Sequence, residues 1–314
     1  MELLQTIKNR IALVFPGQGS QYVGMGRLLY SVSPAAKRVF DQADEVLGFS
    51  LTKLCFEGPQ AELDDTYNAQ PAILTVSIAC LEALRERLTP MGISVSPTLV
   101  AGHSLGEFTA MVAAGSLRFD EALLLVRERG RLMKETSEVR PGGMAAVIGL
   151  DDTQLAAVVS EAQSRGVVTM ANANSPGQTV LSGEVDALVH AMELAKARGA
   201  KLVQRLAVSI ASHSPLMQPA AAHFAELVAR VNLQPPLVPL IANISAPVLH
   251  SVEELRTEVT SQLTLPVQWT GSVQTMVEHM RAEQQMLRDW VEAQALRDQE
   301  LKNLIARSLE GLKK

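Results

Sequence analysis

The sequence contains little of what marks several specialised protein classes. Its 314 residues include only two cysteines, Cys55 and Cys80, which argues against a disulfide-bonded secreted domain and predicts two reduced core thiols. No apolar run approaches the length of a membrane span. The first ten residues have no apolar stretch after their charges, so we expect no secretory signal there. These absences predict a cytoplasmic protein without a membrane partner.

The charge balance excludes a further class, while the composition predicts a globular fold. The net charge of −5 disfavours nucleic acid as the main partner, although a local basic patch for a phosphate-bearing substrate stays open. Hydrophobic residues make up 47% of the chain and charged residues 19%, enough for a sizeable core. The length fits one large domain or two unequal ones.

One stretch in the first half of the chain carries a catalytic pattern. The apolar run Leu99–Ala101 predicts a buried strand, Gly102-His-Ser-Leu-Gly106 follows it, and a helix-like run of small residues comes next. A strand, Gly-x-Ser-x-Gly and a helix are the context of a nucleophile elbow, with Ser104 at the tip of a sharp turn. The helix N-terminus would favour a negative charge developing there. The motif alone also occurs by chance.

A second strand candidate, Ile11–Phe15, runs into the glycine-rich turn Pro16–Gln21. Such a turn presents backbone N–H groups at the carboxyl end of a strand, where ligands bind in open α/β sheets. A phosphate-binding loop is disfavoured because the later glycine and lysine of nucleotide loops are missing. An oxyanion-hole loop is the better interpretation, and a plain structural turn is the alternative.

Helices are predicted over Ser33–Leu47, Ala72–Leu88 and Glu121–Glu135, with Asn68–Pro71 breaking the chain before the second. The third helix carries Arg127, Arg129 and Arg131. Residues 127 and 131 share a face while 129 lies across from it, so we expect Arg129 to point inward and the others to face water. A buried guanidinium needs a carboxylate or phosphate partner.

From Pro141 the pattern changes to a compact unit of short elements. Strands are predicted at Met144–Leu150, Val167–Ala171, Gln178–Ser182 and Ala200–Leu206, with helices at Asp152–Arg165 and Val185–Gly199. This β-α-β-β-α-β order is the ferredoxin-like pattern. The predicted fold is therefore α/β: a large domain with a parallel sheet core, residues 1–136 and 208–314, and an inserted ferredoxin-like α+β subdomain, residues 137–207.

A base for Ser104 must come from one of six histidines. His103 adjoins the serine and is expected to point away from it. Four others lie in helical or surface-like contexts: His190, His223, His250 and His279. His213 lies between an apolar strand candidate beginning at Val208 and a helix that starts with proline, which favours it as the base over a packing role.

Seven separated motifs together resemble the malonyl-CoA:acyl carrier protein transacylases, the acyltransferases of fatty acid and polyketide synthesis. They span Ile11 to about Met280 and comprise Phe15–Gln21, Asn68–Pro71, Gly102–Glu107, Gly143–Gly149, Asn172–Gln178, Ser212–Met217 and Pro266–Trp269. The resemblance implies a large α/β-hydrolase-like domain. It also implies ping-pong transfer of malonyl from malonyl-CoA through a Ser104 ester to the phosphopantetheine thiol of an acyl carrier protein, with no cofactor or metal.

The resemblance also implies roles for individual residues. His213 would be the general base and then the acid, and the backbone carbonyl of Gln262 would hold its tautomer in place of a carboxylate. The backbone N–H groups of Gln18 and Leu105 would form the oxyanion hole. Arg129 would grip the free carboxylate of malonate and disfavour an acetyl group, which would leave the cation unpaired.

Two features depart from the family pattern. Ser212 before the histidine resembles methylmalonyl-selective polyketide acyltransferases, although many free-standing malonyl enzymes share it, so we expect malonyl as substrate with some tolerance for methylmalonyl. The tail, residues 281–314, lacks the usual strand and Gly-Pro-Gly-type turn and carries apolar residues at helical spacing among many charges. It is interpreted as a packed tail, a helix for association, or an altered end.

Two other functions are weighed against this one. A serine thioesterase or esterase would need an acid and a late histidine, but His279 is the only late histidine and no aspartate lies in a loop before it. A catalytically silent scaffold would not need Ser104, His213 and Arg129 together. Fatty acid and polyketide pathways share these motifs, so the pathway stays open, and a monomer is expected.

Overall fold

The computed structural model of this chain describes residues 11–282 together with 285, 286, 288 and 289. The described residues form two units, each built on a four-stranded sheet. The larger sheet contains, in spatial order, β1 (Ala12–Phe15), β2 (Leu99–Gly102), β7 (Leu240–Ile241) and β8 (Val248–Leu249). The first three strands are parallel and β8 is antiparallel, so the carboxyl ends of β1, β2 and β7 meet at one edge.

Helices surround the larger sheet. They are α1 (Arg27–Val32), α2 (Pro34–Leu47), α3 (Leu51–Glu57), α4 (Gln60–Asp64), α5 (Thr66–Leu88), α6 (Leu105–Ala113), α7 (Phe119–Val139), α10 (Gln218–Arg230), α11 (Val252–Ser261) and α12 (residues 269–282). Ser33 caps α2 as predicted, accepting a hydrogen bond from the Ala36 N–H at 3.1 Å. Phe40, Phe108 and Phe224 are fully buried in the core between the helices and the sheet.

The smaller unit has the predicted order of elements. Its strands are β3 (Gly142–Ile148), β4 (Val168–Ser175), β5 (Gln178–Glu184) and β6 (Leu202–Arg205), and its helices are α8 (Asp152–Ala162) and α9 (Val185–Ala197). The sheet is antiparallel, with β5 and β3 in the centre and β4 and β6 at the edges. Apolar side chains of both helices pack on this sheet as a separate core.

A strand-like contact joins the two units. β4 lies beside the segment before α12, where the Ala173 N–H donates to the Val267 carbonyl at 2.9 Å and the Val267 N–H donates to the Ala171 carbonyl at 2.8 Å. The hydroxyl of Thr270 adds a bond to the Ala173 carbonyl at 3.1 Å. This junction holds one end of β4 over the carboxyl edge of the larger sheet.

The structure overturns several local predictions. Cys80, expected as a core thiol, is exposed, whereas Cys55 is buried as expected. Asn68–Pro71 does not break the chain, because Pro71 lies inside the continuous helix α5. The first turns of α5 are buried, and this packing outweighs the helix-breaking tendency of proline. The residues from Val208 to Ser212 form no strand, because they line the space between the units instead of joining either sheet. Residues 290–314, which hold most of the unusual tail, lie outside the described residues, so its three interpretations stay predictions.

Candidate active site

Ser104 lies at the tip of a sharp turn between β2 and α6. Its backbone has φ 51° and ψ −106°, a strained conformation for a residue with a side chain. A Cβ at Gly102 would overlap the backbone of Gly106, and one at Gly106 would overlap the Phe15 carbonyl. Both glycines of the motif are therefore required by close backbone approach, as predicted for a nucleophile elbow.

Asn243, just after β7, stabilises this turn through hydrogen bonds from its side chain. Its side-chain Oδ1 accepts the Ser104 N–H at 2.6 Å, and its Nδ2 donates to the Gly102 carbonyl at 2.7 Å. Asn243 is fully buried. Sequence analysis missed this residue, although its position at the carboxyl end of a parallel strand was an available signal.

His213 reaches the serine hydroxyl from the loop before α10. Its Nε2 is 2.8 Å from Ser104 Oγ, and its Nδ1 is 2.7 Å from the Gln262 carbonyl oxygen. A carbonyl can only accept, so Nδ1 carries the proton and Nε2 of the neutral ring is free to accept the hydroxyl proton. The structure thus brings together Ser104, His213 and the Gln262 carbonyl. Like Ser104, His213 has a positive φ, 56°.

The surroundings of His213 keep its ring neutral. Burial, and next the nearby Arg129 cation, lower the pKa of His213 to about 3. The hydrogen bond to the Gln262 carbonyl favours the charged form but is outweighed. At neutral pH the imidazole is therefore in the form that can take a proton.

Arg129 points inward from α7, and this prediction is confirmed: it is 2% exposed. Its NH1 donates to Gln70 Oε1 at 2.9 Å, and its NH2 donates to Gln262 Oε1 at 2.7 Å and to Ser104 Oγ at 3.2 Å. These acceptors are neutral. Within the described residues, the direct partners of Arg129 are two amide oxygens and the Ser104 hydroxyl, so a carboxylate partner supplied by a ligand stays a prediction.

The other two arginines of α7 differ from the prediction that both face water. Arg131 is half-exposed and pairs with Glu128 and Glu135 on its own helix. Arg127 is half-buried, and its guanidinium lies 4.3 Å from the ring centroids of both Phe49 and Tyr67. Periodicity separated the faces of the helix correctly, but it could not show that two aromatic rings cover Arg127.

The predicted oxyanion donors lie on two neighbouring turns. Gln18 and Leu105 both line the cavity that contains Ser104 and His213. Within the described part of the chain, no acceptor is found for the backbone N–H of either residue. A Cβ at Gly17 would overlap the His103 carbonyl, so glycine at that position lets the first loop pack against the elbow. Both N–H groups are thus available to a ligand oxygen.

The cavity has a volume of about 410 Å³ and is walled by both units. The larger unit contributes Ser104, Arg129 and His213, while the smaller contributes residues such as Met144 and Val180. His103 spans the two walls: its Nε2 lies 2.9 Å from Asn174 Oδ1, away from the serine as predicted. A second cavity, of about 400 Å³, adjoins the first and shares Gln18 and several loop residues with it.

Gln70 is a further residue whose position the sequence did not reveal. It stands in the Asn68–Pro71 motif, which we interpreted as a break, yet it is fully buried and accepts from Arg129.

Within the described residues, no cluster of histidine, cysteine and acidic side chains suits a metal ion. The same residues include no helix that is both long enough and apolar enough to cross a bilayer.

Comparisons with known proteins agree with this geometry. A family described as "Acyl transferase domain" matches residues 12–287. The malonyl CoA-acyl carrier protein transacylase of Bacillus subtilis strain 168 is 44% identical over 270 residues, covering 86% of this chain and 83% of that protein. That of Escherichia coli K12 is 40% identical over 275 residues, covering 86% of this chain and 87% of that protein.

A solved structure extends the agreement to the fold. The malonyl CoA-acyl carrier protein transacylase from Coxiella burnetii superposes with a TM-score of 0.81 at 39% identity, covering 86% of this chain and 84% of that one. The predicted resemblance is thereby confirmed. Over most of its length, and with the Ser104 elbow in place, this chain belongs to the acyl transferase domain family and is an acyltransferase.

Proposed function

We propose that this enzyme moves the malonyl group of malonyl-CoA to the phosphopantetheine thiol of an acyl carrier protein. The observation that carries the proposal is the meeting of three groups: the Ser104 hydroxyl lies 2.8 Å from a neutral His213 nitrogen and 3.2 Å from the buried Arg129 guanidinium. The names of the relatives support the substrates. A solved complex described as a type II PKS acyl-carrier protein with its malonyl-transacylase is similar to this chain, with a TM-score of 0.81 at 38% identity, covering 86% of each chain.

In the first half-reaction, His213 Nε2 takes the hydroxyl proton as Ser104 Oγ attacks the thioester carbonyl carbon. The carbonyl oxygen becomes an oxyanion that the Gln18 and Leu105 N–H groups stabilise, each donor contributing about 3–4 kcal/mol in comparable enzymes. The intermediate collapses, the C–S bond breaks, and the CoA sulfur receives the proton from His213. The product is a malonyl ester on Ser104.

The second half-reaction repeats these steps with the carrier thiol as nucleophile. His213 takes the thiol proton, the sulfur attacks the ester carbonyl, and the C–O bond to Ser104 Oγ breaks as the proton returns to that oxygen. Because CoA leaves before the carrier enters, the mechanism is ping-pong. These steps use only groups of this chain and its two substrates, so we propose that no cofactor takes part.

Arg129 has two effects in this scheme. Its planar guanidinium matches the free carboxylate of a malonyl group, which an acetyl group lacks. It also lowers the pKa of His213 while it is unpaired. A bound carboxylate would offset the positive charge and so raise the basicity of His213. The correct substrate would therefore improve the base as well as bind more tightly.

Ser212 lines the same cavity, which supports the second expected substrate. Its small side chain leaves more room than a bulky residue for the α-methyl of methylmalonyl. We propose malonyl-CoA as the preferred substrate and methylmalonyl-CoA as a poorer one, in a polyketide or a fatty acid pathway. Equal turnover with both would contradict this ranking.

The same proposal extends to the fold of each domain, the oligomeric state and the location of the enzyme. The parallel strands ending at the Ser104 turn support an α/β-hydrolase-like larger domain, and the order β4-β5-β3-β6 supports a ferredoxin-like smaller one. We also propose that the enzyme works as a monomer in the cytoplasm.

The test is intact-mass spectrometry after brief incubation with malonyl-CoA or acetyl-CoA. We expect a malonyl adduct that maps to Ser104, little acetyl adduct, and no adduct on Ser104→Ala, whose loading rate should fall at least ~10³-fold. Unchanged transfer by the alanine variant would exclude Ser104 as the nucleophile. Release of free CoA without an adduct would instead support a hydrolase.

A further inference from the structure

Two carboxyl groups are buried beneath the nucleophile, and the mechanism above does not use them. Glu107, in the first turn of α6, is fully buried, and Glu258 on α11 is 6% exposed. The backbone N–H of Asn243 donates to both, to Glu107 Oε1 at 3.2 Å and to Glu258 Oε1 at 2.8 Å. Two ionised carboxylates that meet at one donor in a buried site repel each other strongly, which favours retention of one proton.

The surrounding groups indicate where that proton resides. Burial and the charge of Glu258 raise the pKa of Glu107 well above its ordinary value. Burial also raises the pKa of Glu258, but its hydrogen bonds to the Ile244 and Asn243 N–H groups and to Glu107 oppose the rise. Glu107 is therefore the protonated member and Glu258 the ionised one.

The pair is connected to the active site through the side-chain amide of Gln262. That amide donates from Nε2 to Glu107 Oε2 and, at 3.1 Å, to the Ser104 carbonyl. Its Oε1 consequently faces Arg129, whose NH2 donates to it at 2.7 Å. Because the nitrogen and oxygen of an amide lie at opposite corners, fixing the nitrogen end also fixes the oxygen end.

The pair also supplies a negative charge near Arg129, whose directly bonded partners are all neutral. The bonded acceptors of Arg129 are neutral, and burial lowers the pKa of the guanidinium to about 10, while negative charge on the Glu107–Glu258 pair acts in the opposite direction. An unbalanced buried cation is costly. The single negative charge of the pair, linked to Arg129 through Glu107 and the Gln262 amide, offsets the cation without a direct bond to the guanidinium.

We propose that Glu107 and Glu258 are positioning residues that share one proton, turn the Gln262 amide oxygen toward Arg129, and hold one negative charge behind that cation. The proposal rests on the function proposed above for its effect on catalysis. The protonation state of the Glu107–Glu258 pair does not depend on that function. The two parts can therefore be tested separately.

The proton is tested by thermal unfolding of the full chain as a function of pH. A carboxyl whose pKa is raised in the folded state binds a proton that the unfolded chain releases, so its contribution to stability is lost as pH rises from about 4.3 to the folded pKa. Of the ionisable groups acting on the pair, Arg129 stays charged in this window and the neighbouring His213 stays neutral in the folded state.

We expect Glu107→Gln, which carries a permanent N–H donor, to lose less stability than the wild type as pH rises. The control Glu253→Gln removes an exposed carboxylate from the same helix as Glu258 and should keep the wild-type pH dependence. Parallel curves for wild type and Glu107→Gln would overturn the shared proton.

The positioning role is tested by comparing Glu107→Gln with Glu107→Met in malonyl and acetyl loading. The amide variant keeps an acceptor for Gln262, so we expect a malonyl loading rate within about threefold of wild type, whereas the methionine variant should lose ~10²-fold and most of the malonyl preference. Equal impairment of both variants, or full malonyl preference in the methionine variant, would overturn it. If Glu107→Met does not fold, Glu258→Gln replaces it, and wild-type malonyl preference in that variant would exclude Glu258 from positioning. Failure of the wild type itself to load malonyl would reject the proposed function and leave the pH result intact.

Discussion

The two walls of the active-site cavity are built in different ways. The wall from the larger unit carries Ser104 and His213 in strained backbone conformations, held by the hydrogen bonds that they donate to Asn243 Oδ1 and the Gln262 carbonyl. The wall from the smaller unit is mainly an apolar cluster around Met144 and Val180. We infer from this contrast that the reacting side chains must be fixed in position by hydrogen bonds. The facing apolar wall needs mainly a surface that is complementary in shape to the substrate.

The largest effect that would test this contrast concerns Arg129. We expect Arg129→Gln to lower malonyl loading about 10²-fold, since a hydrogen-bonded charge is worth roughly 1.5–3 kcal/mol. Acetyl loading should change by only a few fold, so the malonyl preference would disappear. The measurement is the ratio of the two initial loading rates by intact mass.

Arg127→Gln is the matched control. It removes the same charge from a residue two positions earlier in the chain, whose guanidinium lies over two aromatic rings. It should keep the malonyl preference. Equal losses of malonyl and acetyl loading in Arg129→Gln would mean that this arginine supports the wall but does not select the substrate.

A smaller effect is expected on the facing wall. Asn174→Ala removes the hydrogen bond to His103 that joins the walls, which is worth about 1 kcal/mol. We expect malonyl and acetyl loading to fall together by less than about tenfold, with the preference unchanged. A selective loss of malonyl loading would show that the smaller unit also recognises the carboxylate, and the contrast between the walls would fail.

The smallest expected effect is on acid stability. The pKa of His213 is lowered to about 3 in the folded state, whereas in the unfolded chain it is about 6.5. Between pH 6.5 and pH 3 the unfolded chain therefore binds a proton that the folded protein does not. The stability gained from the neutral ring is present above pH 6.5 and is lost as pH falls. We expect the melting temperature of the wild type to drop a few degrees more than that of His213→Gln between pH 7.5 and 5.5, by differential scanning fluorimetry. Identical drops would mean that His213 is not buried neutral.

Parts of the site were predictable because their signals are local. The spacing of Gly102, Ser104 and Gly106 specifies one turn, and helical periodicity alone separated Arg129 from its neighbours. Gln70 gave no local signal, and Asn243 gave only its position after a strand. The bond between the Ser104 N–H and Asn243 joins residues 139 positions apart, and no periodic pattern in the sequence records such a contact.

The sequence by itself determined the nucleophile elbow, the inward arginine and the β-α-β-β-α-β order of the smaller unit, because each follows from steric or periodic constraints within a few neighbouring residues. Only the tertiary structure decided that α5 continues through Pro71, that the residues before His213 form a loop, and that Glu107 meets Glu258 under Ser104. Those outcomes depend on burial against distant segments, where packing and desolvation outweigh local conformational preference.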